Sequence, residues 1–551
     1  MHLKLVAFNG RYIHSCLALF YVREELRRRL PGARPDLRQF TINDPYYATL
    51  LQISAGAPDV VMFSVYIWNS ELVLRLLADL AQVLPATSFV LGGPQAAALE
   101  QESLPARTSL VLGPVEGLPT SFYSDLQNGD LAPRYLGTGG HPFPSPYRDQ
   151  DLAGELRHRH LYYESSRGCP FACSYCLSSV ERGVTWKEVA QVREELRPIL
   201  AHRPALLKFV DRTFNARPER ALEIWHFLAE AAGETVCHFE MAPDLFTEEM
   251  FDFLAGLPPG RFQFELGIQS TNPATLQAVN RVMDLEKVGE NLRRLEELRN
   301  IHLHVDLILG LPGDSEESWC RSLSQVFALG PHHIQLGLLK VLPETAVCAT
   351  PGLVHALRPP YEVLATADLD HRNLSRLYWL GECVEAFYNN RYFPTFFAHL
   401  RRTGEEITAF FDALLELCRA RNFFSRAATQ ELLTGLLAEL VKNRTDGQLL
   451  LEILRYDWLR CGHRFLPPGL GQNDLSECPK ELARRLPPNL APLYDYRNRS
   501  EFLKRHAFSR FSGPALAVFG WPARAEGGVV AFLAEREDGL QRLQKTVLLP
   551  S

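Results

Sequence analysis

The chain has 551 residues, of which 46% are hydrophobic and 22% are charged, and its formal net charge is −6. This composition excludes a largely disordered protein and suffices for about three or four domains of roughly 150 residues. The slight acidic excess argues against general nucleic-acid binding. No run reaches the ~20 apolar residues of a membrane helix, and the N-terminus lacks the apolar segment of a signal peptide. We therefore expect a cytoplasmic protein without a membrane span.

Strand and helix patterns alternate over residues 1–125, which predicts a doubly wound, Rossmann-like α/β domain. The predicted strands are Leu3–Phe8, Leu37–Ile42, Asp59–Tyr66 and Ser88–Leu91, and the predicted helices are His14–Leu30, Pro45–Ala55 and Ser70–Leu84. Such a domain binds its ligand at the carboxyl ends of the strands. Residues 126–158 contain many prolines and glycines, which is typical of a linker.

A second βα series over residues 159–360 predicts an open, partial (β/α)6 barrel, because six units are too few to close an eight-stranded barrel. The predicted strands are Leu161–Ser165, Leu206–Val210, Thr235–Met241, Arg261–Ile268, His302–Leu309 and His333–Leu339. Residues 361–551 are expected to form a mainly helical domain, with helices such as Ile407–Arg419 and Gln430–Lys442. Short terminal β-hairpins are expected near Gly527-Gly528 and Asp538-Gly539.

Three cysteines form the main chemical motif. Residues 164–177 have the sequence ESSRGCPFACSYCL, which spaces Cys169, Cys173 and Cys176 as C-x3-C-x2-C. Three thiolates from one loop can bind three irons of a [4Fe–4S] cluster and leave the fourth iron open for a ligand. A zinc knuckle is the alternative, but it needs a fourth ligand, and the nearby His158 and His160 precede the strand. We therefore expect an iron–sulfur site.

This loop resembles that of the radical SAM superfamily, in which an aromatic residue, here Tyr175, precedes the last cysteine. The resemblance implies that the open iron binds S-adenosylmethionine. It also implies that an external electron donor, such as a flavodoxin or ferredoxin, reduces the cluster and that a 5′-deoxyadenosyl radical is formed. Contacts with S-adenosylmethionine are expected at Tyr175, Asp211, Asn215, Glu240, Glu265, Gln269, Asp306 and Gly310. The alternative is that several of these residues are strand-end caps or ion-pair partners.

The N-terminal domain resembles the cobalamin-binding domain of B12-dependent radical SAM enzymes through segments 8–14, 64–69 and 91–95. The resemblance places cobalamin contacts at Asn9, Tyr12, Ser64, Tyr66, Ile67, Trp68, Gly92, Gly93 and Pro94. The two glycines would let the backbone approach the ligand. The chain departs from the pattern because it lacks a D-x-H-x-x-G element, and LGPVEGLP at 112–119 replaces a GEGE-like turn. A domain that only supports the barrel is the alternative.

Over most of its length the chain resembles a radical SAM subfamily with a C-terminal extension of unknown function. One of the matching segments is LRYDWLRCGHRFLPP at 454–468. Its Tyr456 and Trp458 would either cover the barrel mouth or pack between helices, and we favour packing.

The leading functional interpretation is a cobalamin-dependent radical SAM C-methyltransferase that uses methylcobalamin and the deoxyadenosyl radical. A rearrangement or cyclisation enzyme with the same cofactors is the second candidate. A cobalamin-independent enzyme, such as a methylthiotransferase, is disfavoured because Cys16 is the only cysteine before Cys169. An iron–sulfur sensor would not need the polar strand ends. The substrate is expected to be a small molecule, a lipid or a peptide.

Overall fold

The computed structural model describes the chain except for residues 181–182, 472, 474, 476, 488–503, 505, 537–542 and 551. It divides into two compact units. The first unit comprises residues 1–250, 279–281 and 339–364, and the second comprises residues 251–278, 282–338 and 365–551. Among the described residues, no helix is long and apolar enough to cross a bilayer.

The first unit begins with a six-stranded parallel sheet. Its strands are β1 (His2–Asn9), β2 (Arg34–Thr41), β3 (Val60–Ser64), β4 (Ser88–Gly92), β5 (Thr108–Leu112) and β6 (Arg134–Leu136), and its helices are α1 (Leu17–Arg29), α2 (Tyr46–Ser54), α3 (Ser70–Val83) and α4 (Thr120–Asn128). The strand order is β2-β1-β3-β4-β5-β6. Every predicted element of this domain is present, which confirms the doubly wound fold.

Helix α1 starts at Leu17, three residues later than the predicted start at His14. The reason is that side chains, and not helical N–H groups, satisfy the backbone oxygen of His14. Asn9 Nδ2 donates to this oxygen at 3.1 Å, and Arg159 Nη1 donates to it at 2.7 Å. Residues 10–16 therefore form a loop at the carboxyl end of β1.

Apolar layers cover both faces of this sheet. In β1, Leu3 and Leu5 belong to the apolar cluster on one face, and Val6 and Phe8 belong to the cluster on the other. All four side chains are buried, as expected for a parallel strand with helices on both sides. The continuous apolar runs in the sequence result from this double burial.

The first unit continues with the strands that position the cysteine motif. These elements are α5 (Asp149–Ala153), β7 (Leu161–Tyr163), β8 (Ser166–Cys169), β9 (Gly183–Trp186), α6 (Val189–Ala201), β10 (Leu206–Phe209), α7 (Pro218–Ala231) and β11 (Val236–Met241). Strand β10 pairs in parallel with both β7 and β11. Strands β8 and β9 form an antiparallel pair that the sequence analysis did not predict. Helix α8 (Glu248–Ala255) carries the chain into the second unit.

The second unit contains three further parallel strands in the order β12-β13-β14. Its elements up to residue 338 are β12 (Phe262–Gln269), α9 (Pro273–Ala278), α10 (Leu285–Leu298), β13 (His302–Leu309), α11 (Glu316–Ala328) and β14 (His333–Leu338). Buried and half-buried residues alternate along β12 and β13, so each strand has one apolar and one more polar face. Two short strands, β15 (Val354–His355) and β16 (Val363–Ala365), follow in the chain and pair with each other.

The rest of the second unit is mainly helical, as predicted. The helices are α12 (His371–Val384), α13 (Pro394–Arg402), α14 (Ile407–Ala420), α15 (Gln430–Val441), α16 (Gly447–Arg460), α17 (Pro479–Arg484) and α18 (Gly513–Val518), and a π-helical turn at Glu385–Asn389 continues α12. The Asn389 side chain of this turn accepts from Ile334 N and donates to Ile334 O, both at 2.9 Å. It thereby satisfies backbone groups at the edge of β14.

A three-stranded antiparallel sheet lies at the C-terminus. It consists of β17 (Ala507–Phe511), β18 (Gly528–Arg536) and β19 (Gln544–Leu548). The expected terminal β-structure near Gly527-Gly528 is confirmed, because β17 and β18 pair in antiparallel fashion with Phe511 opposite Gly528. Helix α18 lies in the connection between the two strands. The other predicted turn, Asp538-Gly539, lies outside the described residues.

The aromatic residues of the 454–468 segment pack inside the second unit. The Tyr456 ring stacks on Phe519 with centroids 3.8 Å apart, and its hydroxyl lies 3.0 Å from Thr546 Oγ1. Trp458 stacks on His463 and is also buried. The packing interpretation of this segment is therefore confirmed.

Asp457 lies between these aromatic residues and is fully buried. Its carboxylate accepts hydrogen bonds from Thr395 N at 3.3 Å and Phe396 N at 2.9 Å, in the first turn of α13. Acceptors at this position satisfy N–H groups that have no partner inside the helix. Burial raises the pKa of Asp457 to about 6, although these hydrogen bonds oppose the shift.

This pKa predicts a pH dependence of stability. The unfolded carboxyl titrates near pH ~3.9, so the folded chain holds a proton that the unfolded chain has released. The contribution of Asp457 to stability is therefore complete below pH ~4 and is lost as the pH rises through about 6. The wild-type unfolding temperature should therefore fall as the pH rises over this range, and Asp457→Asn should reduce that fall. The free energy of unfolding lost by the wild type through this group is at most ~3 kcal/mol.

The measurement is thermal unfolding of the wild type and of Asp457→Asn between pH 4 and pH 8. Glu431→Gln, at an exposed position in the first turn of α15, serves as the control and should follow the wild-type profile. Parallel pH profiles of Asp457→Asn and the wild type would contradict the prediction.

Candidate functional site

The cysteine loop leaves the end of strand β8. Cys169 is the last residue of β8, and Cys173 and Cys176 follow in the loop. Cys173 is buried, whereas Cys169 and Cys176 are half-buried. Gly168 has a φ of +93°, and a Cβ there would collide with the backbone oxygen of Gly183 in β9. A glycine is therefore required before Cys169 for β9 to pair with β8.

Backbone hydrogen bonds from two distant segments hold the middle of this loop. Ser174 N donates to Val279 O, and Val347 N donates to Ser174 O, both at 2.9 Å. Asn280 Nδ2 donates to Ala172 O at 2.8 Å. The loop is thus fixed by residues more than 100 positions away in the chain, which the sequence analysis did not identify.

Arg281 follows these residues and reaches the thiols. Its Nη1 lies 3.6 Å from Cys173 Sγ and 3.5 Å from the Tyr175 hydroxyl. Thr213 contacts a second thiol, with its Oγ1 3.5 Å from Cys169 Sγ. Arg281 thus places a charged hydrogen-bond donor beside Cys173, whereas the Thr213 hydroxyl beside Cys169 donates to Arg212 O at 2.8 Å.

Asp211, an expected contact of S-adenosylmethionine, holds the strand that leads into the loop. It is fully buried, and its Oδ1 accepts from the hydroxyls of Ser165 and Ser166, both at 2.6 Å. Its Oδ2 accepts from Ser165 N at 3.0 Å. Burial raises the pKa of Asp211 above its usual value, although these hydrogen bonds oppose the shift. Arg220 adds to the group by donating to Ser165 Oγ at 3.1 Å.

Asn215 is also engaged by the backbone. It is fully buried; its Nδ2 donates to Ala242 O at 2.8 Å, and its Oδ1 accepts from Ala242 N at 2.9 Å. These bonds tie the turn after β10 to the end of β11. Both Asp211 and Asn215 thus already have hydroxyl or backbone partners in this structure. Glu240 is half-buried within β11.

The remaining residues expected to contact S-adenosylmethionine lie in the second unit. Glu265 in β12 lies opposite His304 in β13, and Asp306 in β13 lies opposite Gln335 in β14. Gln269 lies at a register shift at the end of β12 and has a φ of +74°. Gly310 follows β13 with a φ of +87°. The positive φ of Gln269, unlike that of the glycine, strains the backbone, and such strain is common at ligand sites.

Two histidines that the sequence analysis missed join this group. His304 Nε2 lies 3.2 Å from Asp306 Oδ1, and the rings of His304 and His333 are 4.2 Å apart. Burial, followed by the proximity of His304, lowers the pKa of His333. The alternation in HLHVDLIL, residues 302–309, predicts that His304 and Asp306 share a face, and it was the available signal.

The residues expected to contact cobalamin lie at the carboxyl end of the N-terminal sheet. They are the last residues of the adjacent strands β1, β3 and β4 and residues of the loops that follow these strands. The chain first places β2 on one side of β1 and then places β3 to β6 on the other side, so a topological switch point lies between β1 and β3. Doubly wound domains bind ligands at such a switch point. Tyr12 is 63% exposed and Trp68 is 50% exposed, and the Trp68 ring stacks on Tyr66 at 4.3 Å. An exposed aromatic surface therefore flanks the switch point.

Two other residues that were expected to contact cobalamin, Asn9 and Ser64, are buried and make contacts with the 10–16 loop. Asn9 is buried and donates to the backbone of the 10–16 loop. Ser64 is buried, and its hydroxyl lies 3.5 Å from the Sγ of Cys16. Ile67 is half-buried, and Pro94 is exposed.

Gly93 has a structural role that does not involve a ligand. Its φ is +111°, and a Cβ there would lie 2.6 Å from the backbone oxygen of Val65. A Cβ at Gly92 would meet only ordinary contacts, with the nearest atom, Val111 O, at 3.6 Å. Gly93 therefore makes room for the backbone that follows β3. This role is independent of any contact with a cofactor.

Arg167 joins the N-terminal sheet domain to the cysteine loop within the first unit. Its Nη2 lies 3.0 Å from an oxygen of Glu116 and 2.8 Å from an oxygen of Glu164. The guanidinium also contacts the rings of Tyr21 and Phe143. Glu116 belongs to the LGPVEGLP turn and is buried. This turn therefore supplies a carboxylate that pairs with β8 at Arg167, two residues before Cys169.

Comparisons with known families place the motifs in order along the chain. Residues 163–326 match the Radical SAM superfamily, and residues 351–507 match DUF4080, a family of proteins of unknown function. The chain therefore contains a radical SAM domain followed by a DUF4080 region. Both findings agree with the expected family resemblance.

Two curated relatives are methyltransferases. The chain is 27% identical to the cobalamin-dependent radical SAM methyltransferase TokK of Streptomyces tokunonensis, over 52% of this chain and 48% of TokK. It is 25% identical to the 2-(S-pantetheinyl)-carbapenam-3-carboxylate methyltransferase of Streptantibioticus cattleyicolor, over 67% of this chain and 63% of that protein. The chain thus spans less than two thirds of the length of these relatives.

Two solved structures share the fold. The cobalamin-dependent S-adenosylmethionine radical enzyme OxsB, with aqua-cobalamin bound, matches with a TM-score of 0.56 and 14% identity, over 83% of this chain and 80% of OxsB. The radical S-adenosylmethionine methyltransferase TsrM from Kitasatospora setae, with cobalamin and a [4Fe-4S] cluster bound, matches with a TM-score of 0.52 and 16% identity, over 65% of this chain and 81% of TsrM. The fold is therefore that of cobalamin-dependent radical SAM enzymes.

The two glycines after β4 provide a test of the loop geometry. Gly93→Ala should destabilise β3 and β4 by roughly 1–3 kcal/mol, because the residue has a positive φ and its Cβ would overlap Val65. Gly92→Ala is the matched control and should stay within about 1 kcal/mol of the wild type. Hydrogen exchange of the β3 and β4 amides measures both effects. Equal protection in the two variants would contradict this role of Gly93.

Proposed function

We propose that this chain is a cobalamin-dependent radical SAM methyltransferase that transfers a methyl group to carbon. The observation that carries the proposal is the loop of three cysteines at the end of β8, inside a radical SAM domain and preceded by a Rossmann-like domain. When bound, a [4Fe–4S] cluster and cobalamin would supply one-electron chemistry and a methyl carrier. The relatives TokK and the carbapenam methyltransferase support methyl transfer.

The donor set of the cysteine loop fits a cluster. Cys169, Cys173 and Cys176 provide three thiols, and two of them are partly exposed. Within the described part of the chain, no group of three or more His, Cys, Asp or Glu side chains is arranged to hold a single metal ion. A [4Fe–4S] cluster binds each thiolate through a different iron, so its ligands need not converge on one point.

The chain's own residues would orient these groups. The backbone clamp on Ser174 and the contacts of Asp211 fix the thiols before any ligand binds, which is the preorganisation that a reactive site needs. Tyr175, Asp211, Asn215, Glu240, Glu265, Gln269, Asp306 and Gly310 remain proposed contacts of S-adenosylmethionine. In addition, Asp211 is proposed to hold the strand that leads into the cysteine loop.

The aromatic surface at the N-terminal sheet fits a large planar ligand. Tyr12, Tyr66 and Trp68 offer apolar area at the switch point, and their loops are fixed from below by Asn9 and Ser64. We therefore propose that cobalamin binds there.

The proposed substrate is an organic molecule, either a small molecule, a lipid or a peptide, and the proposed electron donor is a small redox protein. A cytoplasmic location is also proposed. All eleven cysteines lie in the described part of the chain, and all are free thiols, as expected in a reducing compartment.

Cofactor content tests the proposal directly. Protein purified without oxygen from cells supplied with cobalamin should contain about four irons and one cobalt per chain. Cys173→Ala should lose the cluster absorbance and all cleavage of S-adenosylmethionine. The control is Cys478→Ala, at an exposed cysteine outside the loop, which should keep both. An intact cluster in Cys173→Ala would refute the ligand assignment.

The same preparation separates methyl transfer from rearrangement. S-adenosylmethionine that carries a deuterated methyl group is incubated with candidate acceptors and a reductant. Transfer of the label to carbon supports the methyltransferase. Deoxyadenosine formation and substrate turnover without label transfer would favour the second candidate, a cobalamin-dependent rearrangement or cyclisation enzyme.

The cobalamin surface is tested by Trp68→Ala. Loss of one stacked aromatic side chain should weaken cobalamin retention roughly tenfold and leave the iron content unchanged. Phe465→Ala, at an aromatic residue that is 79% exposed in the second unit, is the control. Cobalt content and the corrin spectrum after desalting give the readout. Unchanged retention in Trp68→Ala would remove cobalamin from this surface.

A further inference from the structure

We propose that Arg281 is a positioning residue that raises the reduction potential of the cluster bound by the cysteine loop. The inference rests on the proposed function, since it requires that cluster. Its basis is the guanidinium of Arg281, which lies 3.6 Å from Cys173 Sγ and 3.5 Å from the hydroxyl of Tyr175. Arg281 was not among the residues that the sequence pattern selected.

Electrostatics gives the direction of the effect. One-electron reduction makes a cluster one charge more negative, and no proton needs to be taken up. A fixed cation and an N–H···S hydrogen bond at one thiolate both stabilise the more negative state, so the potential rises. Cys173 is only 5% exposed, so water screens this contact poorly.

The backbone around Arg281 fixes its position relative to the thiols. The two preceding residues, Val279 and Asn280, make hydrogen bonds of 2.9 and 2.8 Å to residues of the cysteine loop. Asn280 has a φ of +51°, a left-handed conformation that turns the chain just before Arg281. The segment 279–281 and the loop are thus held together, and the cation keeps its place beside Cys173.

The contact of the second thiol has a different chemical character. Cys169 Sγ is 3.5 Å from the neutral hydroxyl of Thr213. The single proton of this hydroxyl is donated to Arg212 O at 2.8 Å, so Thr213 brings neither a charge nor a free donor to the sulfur. Arg281 is therefore the residue whose removal should change the potential most.

The experiment is a redox titration of the reconstituted full-length protein with dithionite and mediators, in the absence of S-adenosylmethionine, followed by EPR of the reduced cluster. The variants are Arg281→Met, which removes the charge, and Arg281→Lys, which keeps it. Asn280→Ala is the control for the clamp, because it removes a loop hydrogen bond without changing charge. Iron and sulfide are quantified for each protein.

Arg281→Met should keep its iron and shift to a more negative midpoint potential. At a fixed donor potential, the ratio of reduced to oxidised cluster should fall about tenfold, which is ~59 mV for a one-electron couple. Arg281→Lys should stay close to the wild type. Asn280→Ala should retain less iron, but the clusters that do form should keep the wild-type potential, because the bond between Val279 O and Ser174 N still holds Arg281 beside Cys173.

The possible failures are distinguishable. A wild-type protein that binds no iron or sulfide after reconstitution overturns the proposed function, and this inference with it. A wild-type midpoint in Arg281→Met with full iron content overturns the inference alone. Loss of iron in both Arg281 variants would show that the residue is only a structural clamp, which also overturns it.

Discussion

The hydrogen bonds of Asp211 to Ser165 and Ser166 are the interaction on which the cysteine loop depends. They are fully buried, and they hold the strand from which the first thiol emerges. A loop that presents three thiols has few internal hydrogen bonds of its own, so its shape must come from its surroundings. Asp211, the Val279–Arg281 segment and Val347 supply those surroundings from widely separated parts of the chain. A buried carboxylate that looks like a ligand contact in the sequence can therefore be a support of the site.

In the N-terminal sheet, too, buried residues hold loops whose other side chains are exposed. Its apolar faces are covered by helices, so only the strand ends remain for binding. The order β2-β1-β3-β4 places three loops beside one another at the switch point. Gly93 lets one loop pass close to the backbone of Val65, while Trp68 stays half exposed. The exposed aromatic surface is thus a consequence of a tightly packed layer beneath it.

Much of the fold was predictable because apolar periodicity records burial directly. Continuous apolar runs predicted the parallel strands, and helical spacing predicted Gln430–Lys442, which ends one residue after the observed helix. The predictions failed where side chains replace backbone partners, as at the start of α1. His304 and His333 were missed because each is ordinary alone and gains meaning only from its opposite partner.

The sequence by itself determined the chemistry that the chain can offer, since the spacing of Cys169, Cys173 and Cys176 and the order of the domains are linear properties. Only the tertiary structure decided which polar side chains support the thiols and which remain for ligands. Asp211 bonds the strand that leads into the cysteine loop, Asn215 bonds the end of β11, and Arg281 lies beside Cys173. The physical reason is that a buried polar group must find a partner, and that partner can lie anywhere in the chain.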